Sequence, residues 1–406
     1  MKTIALNSIA LLSVALLAST ESSEGQGALT PTSAPAPSMR TLQQIEPRTP
    51  VDGTHTPGDA NSLFKITSPG SYYLTGNISF IPRLGDASQQ SGIEIQSNDV
   101  TLDLNGFRVS SSAGTNGLNG IIVNGNYRAI TIKNGTVTGW NLDGIAASGV
   151  TSGLFENLTL DNNNDDGLVV GGTATIRNCR ATNNKNRGIV ADNNSTISDC
   201  EARSNPKAGI VGTTRCVISR CVVADATSGD GIVADNYCIV ESCTVNNAFN
   251  FGIKTVNRPN ISNCTVTDCG HVDVNGVSGG ILLHYAGTVR NCAISFNRIG
   301  IEILGSSDGG GALIENNQLD SNSGGGIDVL SSGNRIDNNT ICCSAGPAIR
   351  THQGGNFIVR NHAVGNNGGG ADYILGGNDT VGPIVVGKGT ISGIAGGTSP
   401  WANFQQ

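Results

Sequence analysis

Glycine followed by an aliphatic residue recurs along most of the chain at a nearly constant spacing. From Gly167 to Gly252 the steps between successive glycines are 21, 21, 22 and 21 residues. A fixed period in the range of roughly 20–50 residues is typical of a protein built from stacked repeats. The opening glycines are Gly92, Gly120, Gly144, Gly167, Gly188, Gly209, Gly231, Gly252, Gly280, Gly300 and Gly326.

A second column of residues follows the same period. Six cysteines each lie 12 residues after the glycine of their repeat, and asparagines continue the column at slightly longer offsets. An Ile or Val lies three residues before each of these positions. Two columns with one period indicate that every repeat has the same internal structure. The members are Cys179, Cys200, Cys221, Cys243, Cys264, Cys292, Asn317, Asn339 and Asn361.

Each repeat has room for three short strands, such as 188–191, 195–198 and 200–203. Alternation with a period of two places Ile189 and Ala191 on the inner face. No repeat contains the run of 10–12 residues with 3.6-residue periodicity that a helical repeat needs. The sequence therefore predicts an all-β fold, a right-handed single-stranded parallel β-helix of about 12 coils over residues 93–361.

The cysteines and asparagines have a predicted role in this scaffold. Stacked strands place equivalent residues about 4.8 Å apart, which is too far for an unstrained disulfide. We therefore expect Cys200, Cys221 and Cys243 to be buried, unbridged thiols. The bonding of five others stays open: Cys216, Cys238, Cys269, Cys342 and Cys343. Amide side chains in one corner can hydrogen-bond along the stack, and the candidates are Asn184, Asn205, Asn297 and Asn322.

The N-terminus has the pattern of a secretory signal peptide. A positive start at Met1-Lys2 precedes an apolar stretch over 4–18, which is shorter than the ~20 residues that span a membrane. We expect a secreted protein, extracellular or periplasmic, that does not span the membrane. The expected organisation is a signal peptide at 1–20, a Pro/Ser/Thr-rich linker or arm at 21–57, N-terminal capping strands at 58–91, the β-helix at 92–366, and C-terminal capping strands and a tail at 367–406.

Composition narrows the classes of partner. Charged residues are 14% of the chain, aromatic residues are 4%, and the net charge is −7. A nucleic-acid-binding surface needs clustered positive charge, so nucleic acid is not an expected partner.

Four segments resemble a known family of secreted bacterial right-handed parallel β-helix repeat proteins, within the pectate-lyase-like superfamily. They are the repeated Gly-Ile…Cys/Asn units, 71–76 (SYYLTG), 100–107 (VTLDLNGF) and the 400–404 ending (PWANF). The resemblance covers residues 49–404. It implies an extracellular or periplasmic protein, often associated with polysaccharide, and many members have no assigned activity.

The search for catalytic motifs leaves enzymatic activity uncertain. Of the four motifs of polygalacturonase-like members, only the Asp-Asp pair is present, at Asp165-Asp166. Two carboxylates are sufficient for acid–base hydrolysis of a glycoside, but Asp-Asp-Gly is also common in turns. A polysaccharide lyase or hydrolase with a diverged site stays the alternative to a protein that binds polysaccharide, or serves as a cell-surface scaffold, without turnover.

Residues just before the opening glycines share one corner of the predicted helix. Charged residues concentrate there although charge is scarce elsewhere, and one of the two tryptophans accompanies them. We expect this corner to bind polysaccharide, with an acidic glycan as the favoured class. Calcium could bind at Asp143, Asp165 and Asp166 and bridge to a uronate. The substrate-binding candidates are Trp140, Asp143, Asp165, Asp166, Lys185, Arg187 and Asp230.

The outward position of the opening strand forms another column. Its first half is apolar, from Ile122 through Ala146, Val169, Val190 and Val211 to Val233. Such a stripe on an exposed face indicates a face that another segment or a partner covers.

Overall fold

Three short strands per turn wind the chain into a right-handed parallel β-helix, as the residue period predicts. A computed structural model describes residues 47–81, 89–112, 117–271, 278–305, 310–387 and 390–406. Within these ranges all pairing between strands is parallel, and one isolated antiparallel bridge joins Pro57 to Phe64. The expected signal peptide and most of the expected arm lie outside the described residues.

The first face, which we call the opening sheet, contains the strands that follow or include the repeated glycines. It has 14 strands in the described residues. Twelve of them lie between residues 91 and 351, which agrees with the 12 coils predicted for this region. They are Ser62–Ile66, Ser91–Ile95, Ile121–Val123, Ile145–Ala147, Leu168–Val170, Arg187–Ala191, Ala208–Thr214, Asp230–Asn236, Phe251–Asn257, Gly279–Leu283, Ile299–Ile303, Gly325–Val329, Ile349–Thr351 and Tyr373–Ile374.

The second face is the middle sheet. Two of its strands continue around a corner into the third face, so the second and third faces form one 28-stranded sheet. The strands of the middle sheet are Thr49–Pro50, Gly70–Tyr73, Val100–Asp103, Ile130–Thr138, Leu154–Asp161, Thr175–Arg177, Thr196–Ser198, Val217–Ser219, Ile239–Glu241, Asn260–Ser262, Thr288–Arg290, Leu313–Glu315, Arg335–Asp337, Phe357–Val359 and Thr380–Val381.

The third face is the closing sheet, which shares the two long strands Ile130–Thr138 and Leu154–Asp161. Two single-turn 3₁₀ segments, Asn367–Gly369 and Ile391–Gly393, lie near the C-terminus. The remaining strands of the closing sheet are Ile78–Phe80, Arg108–Ser111, Arg180–Thr182, Glu201–Arg203, Val222–Ala226, Thr244–Ala248, Thr265–Thr267, Ala293–Ser295, Gln318–Asp320, Thr340–Cys342, His362–Val364, Ile384–Val386 and Asn403–Gln405.

Strands at both ends join the stack in register. Ser62–Ile66 pairs with the next opening strand, with Phe64 opposite Ile93. Tyr373–Ile374 pairs with Ile349–Thr351 in the same way. The segments expected to cap the helix thus contribute coils of their own.

Identical residue types stack inside the helix because the register repeats from coil to coil. Ile189 lies against Ile210, Ile210 against Ile232, and Ile232 against Ile253, all without solvent exposure. Burial of each isoleucine stabilises the fold by about 1.5–3 kcal/mol. One continuous core therefore forms from strands that are too short to be stable alone.

The repeated glycine is required because the chain approaches the next coil closely at that point. A Cβ atom on Gly188 would lie 2.5 Å from the carbonyl oxygen of Gly209 and 2.7 Å from the Nδ2 of Asn205. A larger residue would displace the neighbouring backbone.

Asparagine side chains form hydrogen-bonded ladders, as the sequence predicts. The amide Nδ2 of Asn184 donates to the Oδ1 of Asn205 at 3.0 Å, and that of Asn297 donates to Asn322 at 3.2 Å. The same Oδ1 atoms accept the backbone N–H of the preceding coil. The ladders therefore satisfy buried polar groups at the corners.

The cysteine column lies in the core, as predicted. All 11 cysteines are free, and nine of them are buried, including Cys200, Cys221 and Cys243. The thiol of Cys200 donates to the carbonyl of Ser198 at 3.2 Å. Its pKa is raised to about 12 by the neighbouring thiol of Cys179 and by burial. The Cys200 thiol is therefore protonated at neutral pH and fills space in the core.

The column ends in the segment 400–404. The backbone N–H and the Nδ2 of Asn361 both donate to the Oδ1 of Asn403, at 2.9 and 3.1 Å. Asn403 itself donates from its backbone N–H to the carbonyl of Pro383 at 2.7 Å. This segment therefore closes the stack.

Candidate functional site

The corner before the opening strands brings four candidate residues together on consecutive coils. We call Asp143, Asp165, Asp166 and Arg187 the acidic corner. Register places Asp143, Asp166 and Arg187 one above another, because Ile145 pairs with Leu168 and Leu168 with Ile189.

Backbone hydrogen bonds fix this column. The N–H of Asp166 donates to the Oδ1 of Asp143 at 3.0 Å, and the N–H of Arg187 donates to the Oδ1 of Asp166 at 2.9 Å. Asn119 on the preceding coil accepts the N–H of Asp143 in the same way, at 3.1 Å. One function of these side chains is therefore to cap the backbone at the corner.

The carboxylates also form a compact oxygen cluster. One oxygen from each of Asp143, Asp165 and Asp166 lies within 4.8 Å of the others. Arg187 binds Asp166 with two hydrogen bonds, Nε to Oδ1 at 3.1 Å and Nη2 to Oδ2 at 2.6 Å. Asn186 donates to the Oδ1 of Asp165 at 2.8 Å. One guanidinium thus faces three carboxylates.

Crowding and partial burial perturb the protonation of the cluster. Burial raises the pKa of Asp143 to about 6, and the charges of Asp166 and Asp165 act in the same direction. The hydrogen bond to Asp166 raises the pKa of Arg187 above its usual value, so its guanidinium stays charged. The corner can bind a cation, and Asp143 titrates close to neutral pH.

Three oxygen-bearing side chains match the ligand preference of Ca²⁺, which takes 6–8 oxygens including carboxylates. Asp143 and Asp165 fit best, because Arg187 already occupies both oxygens of Asp166. Asp166 would contribute as a ligand only by sharing its oxygens with that guanidinium.

The prediction that Trp140 packs against a sugar is wrong. Its side chain is completely buried, and its Nε1 donates to the carbonyl of Val109 at 3.2 Å. The ring stacks on Phe80 with 6.2 Å between centroids. The backbone N–H of Trp140 donates to the Oδ1 of Asn163, so Trp140 occupies a position in an inward asparagine ladder. Its spacing to Asn163, Asn184 and Asn205 was a usable signal.

Two other candidates, Asp230 and Lys185, are not part of the carboxylate cluster. Asp230 is two coils beyond Arg187, with Ala208 between them. Its carboxylate accepts the N–H of Phe251 at 3.1 Å and pairs with Lys254 at 3.6 Å. Lys185 is exposed at the same corner, two residues before Arg187.

A polar cavity that sequence reasoning did not identify lies at the turn after the opening strands. It has a volume of about 460 Å³. Turn residues of different coils form it, and they lie outside the repeated columns, so the period gave no signal for them. Among its lining residues are Asn126, Tyr127, Arg128, Ser148, Thr151 and Asp192.

An apolar strip connects the acidic corner to this cavity. It consists of the outward residues Ile122, Ala146, Val169 and Val190, which are half-buried or, for Val190, buried. Opening strands of about three residues place the two polar regions roughly 10 Å apart along the strand direction. The three features lie side by side on the same coils.

The sequence matches the family model described as "Right handed beta helix region" over residues 77–223 and 279–381, which is more than half of the chain. The protein therefore belongs to the right-handed β-helix family. No curated protein matches the sequence.

Several solved structures are similar to this chain at low sequence identity. One is the mannuronan C-5 epimerase AlgE4 A-module of Azotobacter vinelandii, with 15% identity, a TM-score of 0.49, and coverage of 77% of this chain and 91% of that chain. Another is the tailspike protein of E. coli bacteriophage HK620, with 11% identity, a TM-score of 0.46, and coverage of 85% and 71%. A third is the Agl-KA catalytic domain, with 12% identity and a TM-score of 0.42.

The match to the Agl-KA catalytic domain covers 77% of this chain but only 61% of the length of that domain. Within the described ranges, no helix has the length and apolar character needed to cross a bilayer.

Proposed function

We propose that the protein binds an acidic polysaccharide at the acidic corner, with calcium bridging protein and uronate carboxylates. The observation that carries this proposal is the oxygen cluster of Asp143, Asp165 and Asp166, whose atoms lie within 4.8 Å of one another. Among the described residues, one arginine pairs with this cluster. Burial raises the pKa of Asp143 and the charges of Asp166 and Asp165 add to this effect, so a bound cation would stabilise the charged carboxylate.

The surroundings suit an extended sugar chain. The apolar strip of Ile122, Ala146 and Val169 offers a surface for the CH faces of sugar rings. Trp140 is buried, so the aromatic group available to a ligand is Tyr127 at the cavity. Arg128, beside it, supplies a cationic group. A chain lying across the strip would contact both polar regions.

Binding without turnover is the favoured form of this function. A lyase needs a base beside the uronate, and Arg187 is held charged by its two hydrogen bonds to Asp166. Its raised pKa removes it as a base at neutral pH.

The alternative is a glycoside hydrolase. It is favoured by the pKa of Asp143, which burial raises to about 6, in the range of a general acid. Asp165 would serve as the second carboxylate. One oxygen of Asp165 lies within 4.8 Å of one oxygen of Asp143, so both carboxyls could reach one glycosidic bond.

We also propose that the protein is exported to the periplasm or the extracellular space. The N-terminal pattern of positive charge, apolar stretch and small residues supports this location. It is the compartment in which a polysaccharide ligand would be met.

The test is the affinity for polyuronates, alginate and polygalacturonate, measured by calorimetry with calcium and with chelator. Asp165→Asn keeps an oxygen that accepts from Asn186, so the fold should be retained. We expect this substitution to weaken calcium-dependent binding by about tenfold or more. Asp268→Asn is the matched control, because it removes one exposed carboxylate at a distant corner.

Two results would contradict the proposal: no binding of either polyuronate in the presence of calcium, or equal losses in Asp165→Asn and the control. Reducing ends and unsaturated products are assayed on the same samples. New reducing ends without unsaturated product, abolished by Asp143→Asn, would establish the hydrolase alternative instead.

A further inference from the structure

Two cysteines face outward, in contrast to the other nine. Cys342 ends a closing strand and is half-exposed, and Cys343 occupies the following corner and is exposed. The buried cysteines fill the core, whereas these two thiols fill no space inside the helix. Packing therefore does not explain their presence.

The backbone at Cys343 adds to the contrast. Its φ is +58°, in the left-handed region that asparagine and aspartate adopt more readily than most side chains. The same conformation recurs at the equivalent corner of other coils, at Asn183, Ser204, Asp225 and Ser321, and also at Phe296. The conformation therefore belongs to the scaffold, and what distinguishes this coil is a thiol at a corner where most coils have a short polar side chain.

A carboxylate completes a cluster with the two thiols. Asp320 pairs directly with Cys342 in the closing sheet. One ligand atom from each of Asp320, Cys342 and Cys343 lies within 4.8 Å of the others. The hydroxyl of Ser321 donates to the Oδ2 of Asp320 at 3.2 Å, which helps to orient this carboxylate.

We propose that Asp320, Cys342 and Cys343 form a binding site for a thiophilic divalent metal ion of the zinc class. Two thiolates and one carboxylate are three ligands of the types that Zn²⁺ takes, and the exposed side leaves a fourth position open. The site lies on the closing sheet, away from the acidic corner, and does not rest on the proposed polysaccharide binding.

Proton release should accompany binding. A metal ion binds the thiolate, and an ordinary cysteine thiol is mostly protonated at neutral pH. A metal ion must displace this proton. The apparent affinity should therefore rise as the pH increases from about 6 to 8.

The test uses the full chain, reduced and freed of reductant under inert gas. Native-state thiol labelling should modify two of the eleven cysteines, and Zn²⁺ should protect both. Cd²⁺ serves as the spectroscopic probe through its thiolate charge-transfer absorbance, and Zn²⁺ competition gives the affinity. We expect Cys343→Ser to abolish the absorbance.

Asp320→Asn distinguishes a three-ligand site from a simple pair of thiols. It should weaken Zn²⁺ binding by about tenfold or more while leaving the number of reactive thiols unchanged. Asp161→Asn is the matched control, because Asp161 occupies the same outward column on an earlier coil, beside Thr182 rather than a thiol. The Zn²⁺ affinity of Asp161→Asn should equal that of the wild-type protein.

Three outcomes overturn the proposal. One is Zn²⁺ affinity that is the same in Asp320→Asn and Asp161→Asn. Another is Cd²⁺ absorbance that survives Cys343→Ser. The third is an isolated protein with a Cys342–Cys343 disulfide that binds no Zn²⁺ after reduction.

Discussion

Replacement of Asp143 by asparagine tests the electrostatics of the acidic corner. The Oδ1 of an asparagine can still accept the N–H of Asp166, just as Asn119 accepts that of Asp143. The substitution therefore removes a charge and keeps the hydrogen bond. Without calcium, we expect Asp143→Asn to stabilise the protein at neutral pH.

The magnitude follows from the pKa of this carboxyl. Burial raises the folded-state pKa to about 6 from 3.8, and a shift of this size corresponds to at most about 3 kcal/mol. Asp143 is partly exposed, so solvent screening reduces the expected gain to about 1–2 kcal/mol. Because the folded-state pKa is the higher one, wild-type stability is fully present below pH 4 and falls as the pH rises to 6.

Urea denaturation at several pH values, with chelator present, measures this difference. Transitions should be followed in both directions to establish equilibrium. The two proteins should have equal stability near pH 4, and Asp143→Asn should be the more stable above pH 6. Added calcium should stabilise the wild type by its binding free energy and affect the variant less.

A stability difference independent of pH would refute this reasoning, because the cause would then be packing rather than charge. So would a variant that is less stable than the wild type above pH 6 in chelator. Equal stabilisation of both proteins by calcium would show that Asp143 is not a ligand.

Substitutions at three further positions test the scaffold by urea denaturation. Asn339→Ala removes the acceptor that serves the N–H and Nδ2 of Asn317, and should lower the free energy of unfolding by about 2–4 kcal/mol. A loss below about 0.5 kcal/mol, which is typical of a surface substitution, would show that the ladder is dispensable. Gly188→Ala should cost about 1–3 kcal/mol, since its Cβ would meet the next coil, and an unchanged midpoint would contradict the close approach. Cys221→Asp should lower the free energy of unfolding by more than about 4 kcal/mol, because it buries an unpaired carboxylate. Cys221→Ser should lower it far less, and similar losses in the two variants would argue against burial of this position.

The fold was predictable because every coil repeats the same environment at the same position. Isoleucine or cysteine recurs at the same position of many coils, and this repetition indicates that the position is buried. Cys200 and Cys221 could therefore be assigned to the core from the sequence. The asparagine ladders followed from the same repetition, with Asn184 and Asn205 placed at equivalent corners.

The candidate site was predictable only where it shares that repetition. Asp143, Asp166 and Arg187 align because each precedes an opening glycine. Trp140 was misassigned because it is the one member of its inward ladder that is not an asparagine, although its spacing to Asn163 and Asn184 follows the period. The cavity beside Tyr127 depends on how turns of different coils meet, which the period does not determine.

The asparagine ladder has a direction along the chain. The backbone N–H of each member is satisfied by the side chain of the next coil, from Asn317 to Asn339 to Asn361, and Asn403 is the last acceptor. Each of these coils thus depends on the side chain of the next one, whereas the N–H of Asn403 donates to the backbone carbonyl of Pro383. The length of this ladder is consequently a modular property: a coil with an asparagine at this position could be added or removed without leaving a buried backbone N–H unsatisfied, provided that the Asn403 side chain stays the last acceptor.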